Sequence, residues 1–168
     1  MKSPYDTHLD RNKANYQPLS PVNFLVRRAS CYPNETAVIH GSKRYSYAEF
    51  YTRSRRLASS LSNRGVAQGD TVSIMAPNIP ALLEAHYGVP MIGAVLNALN
   101  IRLDAAAIAF MLDHGEAKVI LTDRMFSSVI EDALKIASNT PLVIDIDDPL
   151  DQSGELLGEM TYEAFLEE

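Results

Sequence analysis

The sequence has no tryptophan and a single cysteine, Cys31. One cysteine excludes an intrachain disulfide, so the fold must be held by its core, and a reducing compartment suits it. The four histidines are His8, His40, His86 and His114. None lies three or four residues from another, which excludes a helical zinc pair. Glycine-rich phosphate loops are missing too. The eight glycines form neither G-x-G-x-x-G nor G-x-x-x-x-G-K-[ST], and there is no G-x-S-x-G elbow. The most apolar stretch, residues 88–99, contains Pro90 and is too short to span a bilayer. MKSPYDTHLDRNKANYQP at the N-terminus lacks the apolar region of a signal peptide, so the expectation is a soluble, cytoplasmic protein. The formal net charge is −6 and the basic residues are scattered, which argues against a nucleic-acid partner.

What is present is an ordinary globular composition. Of 168 residues, 46% are hydrophobic and 21% charged, enough for one domain with a core. Residues 1–20 read as an extended arm. Pro21 suits the first position of a helix over 21–31, which Pro33 ends. ETAVIHGSKRYSY reads as a hairpin turning at His40–Lys43. Ser46 with Glu49 forms a capping box for a helix with Phe50, Ser54, Leu57, Ala58 and Leu61 on one face. The basic run Arg53, Arg55, Arg56 reads as a solvated helix face. Strands are expected at 71–76, 94–99, 117–123 and 141–147. Between them come a helix over 79–94 bent at Pro90, one capped by Asp104 and ended by His114-Gly115, and one over 127–137. Strands alternating with helices predict an α/β layer, mainly parallel, with helices on both faces and a β-hairpin before it. The layer is expected over 21–147, followed by an acidic tail at 148–168 in which Thr161–Leu166 can start a helix.

No catalytic constellation emerges. His114 reads as a helix C-terminal residue that complements the dipole. His86 reads as a satisfied, partly buried histidine beside Leu82, Leu83 and Val89. Asp145, Asp147, Asp148 and Asp151 cluster after a strand, but no glycine-containing calcium loop accompanies them, so no metal site is assigned. Arg102 reads as a surface partner of Asp104 or Glu116. The helix over 79–94 is apolar nearly all round, which predicts contact with more protein.

Three ordered stretches carry a resemblance: YPNETAVIHGSKRYSYAEFYTRSRRLASSL, GDTVSIMAPN, and EAHYGVPMIGAVLNALNIRLDAAAIAFMLDHGEAKVILTD. Together they resemble the N-terminal segment of the acyl-adenylate-forming (AMP-binding) acyl-CoA synthetases. The last is most similar to the branch acting on medium-chain, aryl or methylthio-substituted acids. The resemblance covers roughly residues 19–168 and implies a partial N-terminal domain of that fold.

For the full-length enzyme it implies ATP, magnesium and CoA, a carboxylic acid substrate, an acyl-AMP intermediate, and the remainder of its own chain as a partner. A homodimer is also expected. For these 168 residues it implies no catalytic residue and no tight cofactor binding, with Asn100, Arg102 and Arg124 bordering a CoA site. The alternatives are a stand-alone flavodoxin-like regulatory or interaction domain and a non-CoA adenylating enzyme.

Overall fold

The structure, a computed structural model, describes residues 7, 8, 10, 12–14 and 16–168. Most of the expected arm at 1–15 therefore lies outside the described residues. Helix α1 spans Pro21–Cys31 and opens with its proline in the first turn. Strands β1 (Thr36–His40) and β2 (Lys43–Ser46) form the hairpin, with Gly41 at φ 57° where the turn needs a left-handed residue. Helix α2 (Tyr47–Asn63) starts at the expected capping box. The Ser46 hydroxyl accepts from the Glu49 N–H at 3.2 Å, and the Glu49 carboxylate accepts from the Ser46 N–H at 2.7 Å.

The remaining elements are β3 (Thr71–Met75), α3 (Pro80–Met91), β4 (Val95–Ala98), α4 (Ala105–His114), β5 (Ala117–Asp123), α5 (Ser127–Ile136), β6 (Leu142–Ile146), β7 (Met160–Thr161) and α6 (Tyr162–Phe165). Five strands make one parallel sheet in the order β4-β3-β5-β6-β7. Pro90 falls in the last turn of α3, which stops at Met91. A missing N–H and a ring clash end a helix more cheaply than they bend one.

Side chains alternate across the sheet with the strand period of two. Val72, Ile74, Val119, Leu121, Ile144 and Ile146 face α2 and α3, meeting Leu57, Leu61, Ala85 and Val89. Met75 and Ile120 face α4 and α5, meeting Ile108, Leu112, Ile130 and Ala133. Helix α3 seats closely on α2 at Gly88, where an added Cβ would lie 2.8 Å from the Ser54 carbonyl and 2.9 Å from Leu57 Cδ2.

A fifth strand is the main addition to the sequence expectation. Residues 160–166 return to the sheet as β7 and α6, and Tyr162, Phe165 and Leu166 are buried in the same core as α2 and α3. Their acidic neighbours bind the basic residues of α2. Arg53 pairs with Glu84 and Glu163, Arg56 with Glu167, and Arg64 with Glu159 and Glu168. The run Arg53–Arg56 is thus not simply a solvated face: its first and last members clasp the C-terminal segment. Nothing local in the sequence joins residues more than a hundred positions apart.

The pairs differ in depth, which makes their contributions separable. Side chains of Arg53 and Glu84 are 18% and 1% exposed, while those of Arg56 and Glu167 are 50% and 69% exposed. Removing one partner of a buried pair leaves an uncompensated charge, so Arg53→Ala should cost about 3–5 kcal/mol in urea unfolding. Arg56→Ala should cost less than about 1 kcal/mol. Equal losses would contradict the burial argument.

Candidate functional site at the carboxyl edge of the sheet

Parallel sheets bind ligands beyond the carboxyl ends of their strands, where successive crossovers diverge. Here the divergence lies between β3 and β5, because β4 sits on one side of β3 and β5 on the other. The loops after β4 and β5 bring Asn100, Arg102 and Arg124 to this one edge. Strand β3 separates the two loops, so β4 and β5 run roughly 10 Å apart.

Asn100 organises its own turn. Its side-chain oxygen accepts from the Arg102 N–H at 3.0 Å, and its carbonyl accepts from the Leu103 N–H at 3.1 Å. The Arg102 side chain is exposed, and among the described residues no ion pair involves it. The expected pairing with Asp104 or Glu116 does not form. Asp104 is occupied as the α4 cap, accepting from the Ala107 N–H at 2.8 Å, and Glu116 sits in a left-handed turn at φ 49°.

Arg124 is engaged differently. It donates to Asp147 Oδ1 at 2.8 Å and to the Gly154 carbonyl at 2.9 Å, and its side chain is 18% exposed. Gly154, at φ 80°, passes so near that an added Cβ would lie 2.6 Å from Ser127 Oγ. Arg124 therefore braces the loop between β6 and β7.

The aspartates after β6 are dispersed among separate partners. Asp145 is buried and accepts from the Gly158 N–H at 2.6 Å. Asp147 holds Arg124, and Asp148 lies 2.7 Å from His40 Nε2, tying the hairpin to the sheet. Asp151 accepts from the Ser153 N–H at 2.9 Å. Among the described residues no group of three or more His, Cys, Asp or Glu is placed to hold a metal ion. His86 differs from its expectation. It is exposed, with Nδ1 2.8 Å from the Leu82 carbonyl, whereas Val89 is buried. His114 ends α4 and stacks on Phe110 with centroids 5.3 Å apart.

One polar network went unforeseen. Glu84 accepts from Arg53 at 2.6 and 3.3 Å and from the Tyr162 hydroxyl at 2.8 Å. Arg53 spans to Glu163 through two further bonds of 2.8 and 2.7 Å and lies over the Tyr45 ring. Burial pushes the Glu84 carboxyl up, against the pull of Arg53 and Tyr162, while Arg53 holds Glu163 down. Burial also raises the Tyr162 hydroxyl well above its ordinary value. The sequence signal was the lone carboxylate in PALLEAHYGVPM: a glutamate inside an otherwise apolar helix needs a buried cation.

The AMP-binding enzyme family model matches residues 25–164. The chain belongs to the AMP-binding enzyme family. Among curated members it is 44% identical to an acetate–CoA ligase of Humulus lupulus, CCL3, over 95% of this chain and 30% of that protein. It is 50% identical to the peroxisomal acetate/butyrate–CoA ligase AAE7 of Arabidopsis thaliana, over 76% of this chain and 22% of that protein. A solved structure, the putative long-chain-fatty-acid CoA ligase of Rhodopseudomonas palustris, superposes with a TM-score of 0.75 at 26% identity, over 88% of this chain and 36% of that one. This AMP-binding chain thus spans between a fifth and a third of the length of these relatives. Nothing in these matches supports the stand-alone flavodoxin-like reading. No helix among the described residues is long and apolar enough to cross a membrane.

At the same edge, Asp123 is a buried acid capping the turn after β5, with Oδ1 accepting from the Met125 N–H at 3.0 Å. Burial pushes its carboxyl up; the Met125 bond opposes this, and Asp148, Asp151 and Asp147 add to the rise. A raised carboxyl pKa contributes stability below the unfolded value and loses it as pH rises through the folded one. Asparagine keeps the Oδ1 acceptor without the charge. Asp123→Asn should therefore raise the melting temperature at pH 7.5, with the advantage shrinking as pH falls towards the ordinary aspartate value and absent below it, about pH 4. An advantage independent of pH in thermal unfolding would contradict this cause.

Proposed function

We propose that the whole protein is an ATP-dependent carboxylic acid–CoA ligase that passes through an acyl-AMP. The observation that carries this reading is the family match over residues 25–164, together with relatives named as CoA ligases. In the proposed reaction the carboxylate displaces pyrophosphate from ATP, and the CoA thiol then displaces AMP. The preferred acids are short- or medium-chain or aryl acids, in keeping with the stretch EAHYGVPMIGAVLNALNIRLD and the acetate and butyrate named for the relatives.

The residues present do not fit ATP or magnesium. Asp145, Asp147, Asp148 and Asp151 each have an internal partner, and the chain has no glycine-rich phosphate cradle. We place the binding of ATP and magnesium with residues outside these 168. A phosphate of CoA is proposed at Arg102, an exposed guanidinium with no ion pair among the described residues, on a turn fixed by Asn100. Arg124 enters the proposal as a support for the neighbouring loop, since its donors already serve Asp147 and Gly154.

Contact with the rest of the protein is proposed at the apolar groove between the hairpin and α3. There Ile39 and Leu83 are exposed beside Ile79 and Leu82, around a volume of about 560 Å³. The proposed compartment is the cytoplasm, supported by one exposed free thiol and no disulfide. Several relatives are named as peroxisomal, and a fluorescent fusion of the whole protein distinguishes the two locations.

The test is thioester formation by the whole protein with a panel of carboxylic acids, read as pyrophosphate release and acyl-CoA. Product that requires ATP and CoA is expected; no product with any acid would remove the reading. In that enzyme Arg102→Ala should raise KM for CoA about tenfold with kcat unchanged, the loss of one charge-assisted contact. An unchanged KM would take Arg102 out of the site.

A further inference from the structure

A second cavity lies away from the carboxyl edge, in the cleft between α1, the start of α2, and α3. Its volume is about 510 Å³, within the range of small-molecule sites. The floor is a T-shaped pair, Phe50 and Tyr87, with centroids 5.2 Å apart and planes at 85°. Phe24 and Tyr32 form an exposed aromatic rim, 56% and 48% accessible. One wall is Arg28, whose guanidinium lies 4.2 Å from the Tyr32 ring centre and 5.0 Å from that of Tyr47. Those two rings and the Glu35 carboxylate, at 2.9 Å, hold it in one orientation.

Charge distinguishes this cleft. The protein carries a net −6, yet the residues lining the cleft include two arginines and no carboxylate. Glu35 reaches Arg28 from outside the lining, and among the described residues no ion pair involves Arg27. An aromatic rim supplies flat faces for stacking, and an unneutralised guanidinium beside them favours an anionic group on the same molecule. The cavity at the junction of hairpin, β6 and α6 lacks this property: its arginine, Arg53, is already met by Glu84 and Glu163.

We propose that the cleft between α1 and α2 binds a planar aromatic ring bearing an anionic group, with the ring against Phe24 and Tyr32 and the anion at Arg27. Two sources share this chemistry, an aryl carboxylate and a nucleotide. The site is separate from the carboxyl edge and does not depend on the ligase reading, because it is tested without ATP turnover.

Cys31 reports on it directly. It is the only cysteine, it is exposed, and it lines the cleft. A bound molecule should shield its thiol from iodoacetamide, an uncharged reagent. The rate of alkylation, followed by mass spectrometry on the 168-residue protein, is measured against benzoate and adenosine monophosphate. Cyclohexanecarboxylate and ribose 5-phosphate serve as non-aromatic counterparts. Saturable protection by benzoate, by adenosine monophosphate or by both is expected, reaching roughly tenfold at ten times the dissociation constant, and it identifies the source. Arg27→Ala, a change at an exposed side chain, should abolish protection, measured against that variant's own unliganded alkylation rate. Three results would overturn the proposal: no protection by either aromatic anion, equal protection by the non-aromatic counterparts, or undiminished protection in Arg27→Ala.

Discussion

The buried pair between Arg53 and Glu84 fixes how three separate parts of the chain meet. Glu84 sits on the face of α3 that packs against α2, where a carboxylate without a partner would be strongly unfavourable. Arg53 on α2 answers it, and the approach that brings the two together needs Gly88, the one α3 position where a Cβ would strike the α2 backbone. Tyr162 then supplies the remaining hydrogen bond to Glu84, and Glu163 takes the other edge of the guanidinium. Once this network is satisfied, Phe165 and Leu166 are carried into the core and β7 is laid beside β6. Such a network adds little net stability compared with an apolar core of equal volume; its consequence here is a single way for the segment 159–168 to dock.

Docking of that segment shapes the carboxyl edge in turn. The connection from β6 to β7 must cross this edge, and it is held by Asp148 against His40, by Asp147 against Arg124, and by the close passage of Gly154. Carboxylates that look like a metal cluster in the sequence each serve as structural acceptors, though Asp145 Oδ1 stays buried without a partner. What the edge leaves available is cationic: Arg102, on a turn closed by Asn100, with its nearest sequence acid already used as a helix cap. The exposed guanidinium of Arg102, with no ion pair among the described residues, is the group to which the proposed CoA phosphate is assigned.

Much of the fold is legible in the sequence because its signals are local. Ser46 and Glu49 write the start of α2 into four residues, Asp104 does the same for α4, and the β-branched run of β5 with its flanking turns marks a buried strand. A helix starting at Thr161 is legible too, but the docking of the C-terminal segment onto the sheet is not. MTYEAFLEE alternates acids with aromatics over a stretch too short to set a period, and what buries Tyr162 and Phe165 is a helix roughly a hundred positions earlier. Site residues divide along the same line. Asn100 and Arg102 fall where a strand-end loop is expected, whereas the role of Arg124 depends on Asp147 and Gly154, which no local pattern connects to it. The cleft beside α1 was also hidden, since Phe24, Arg27, Tyr47 and Tyr87 come together only when three helices pack.

If the network organises the chain as described, β7 and α6 belong to the same cooperative unit as the central strand β5. Native-state hydrogen exchange measures this directly, since the Leu166 N–H bonds to the Tyr162 carbonyl at 3.0 Å and β7 pairs with β6. The account predicts that the amides of 160–166 exchange with the same opening free energy as those of β5, and that Arg53→Ala lowers the protection of both segments together. Rapid exchange of 160–166 in the unaltered protein, with β5 protected, would contradict it.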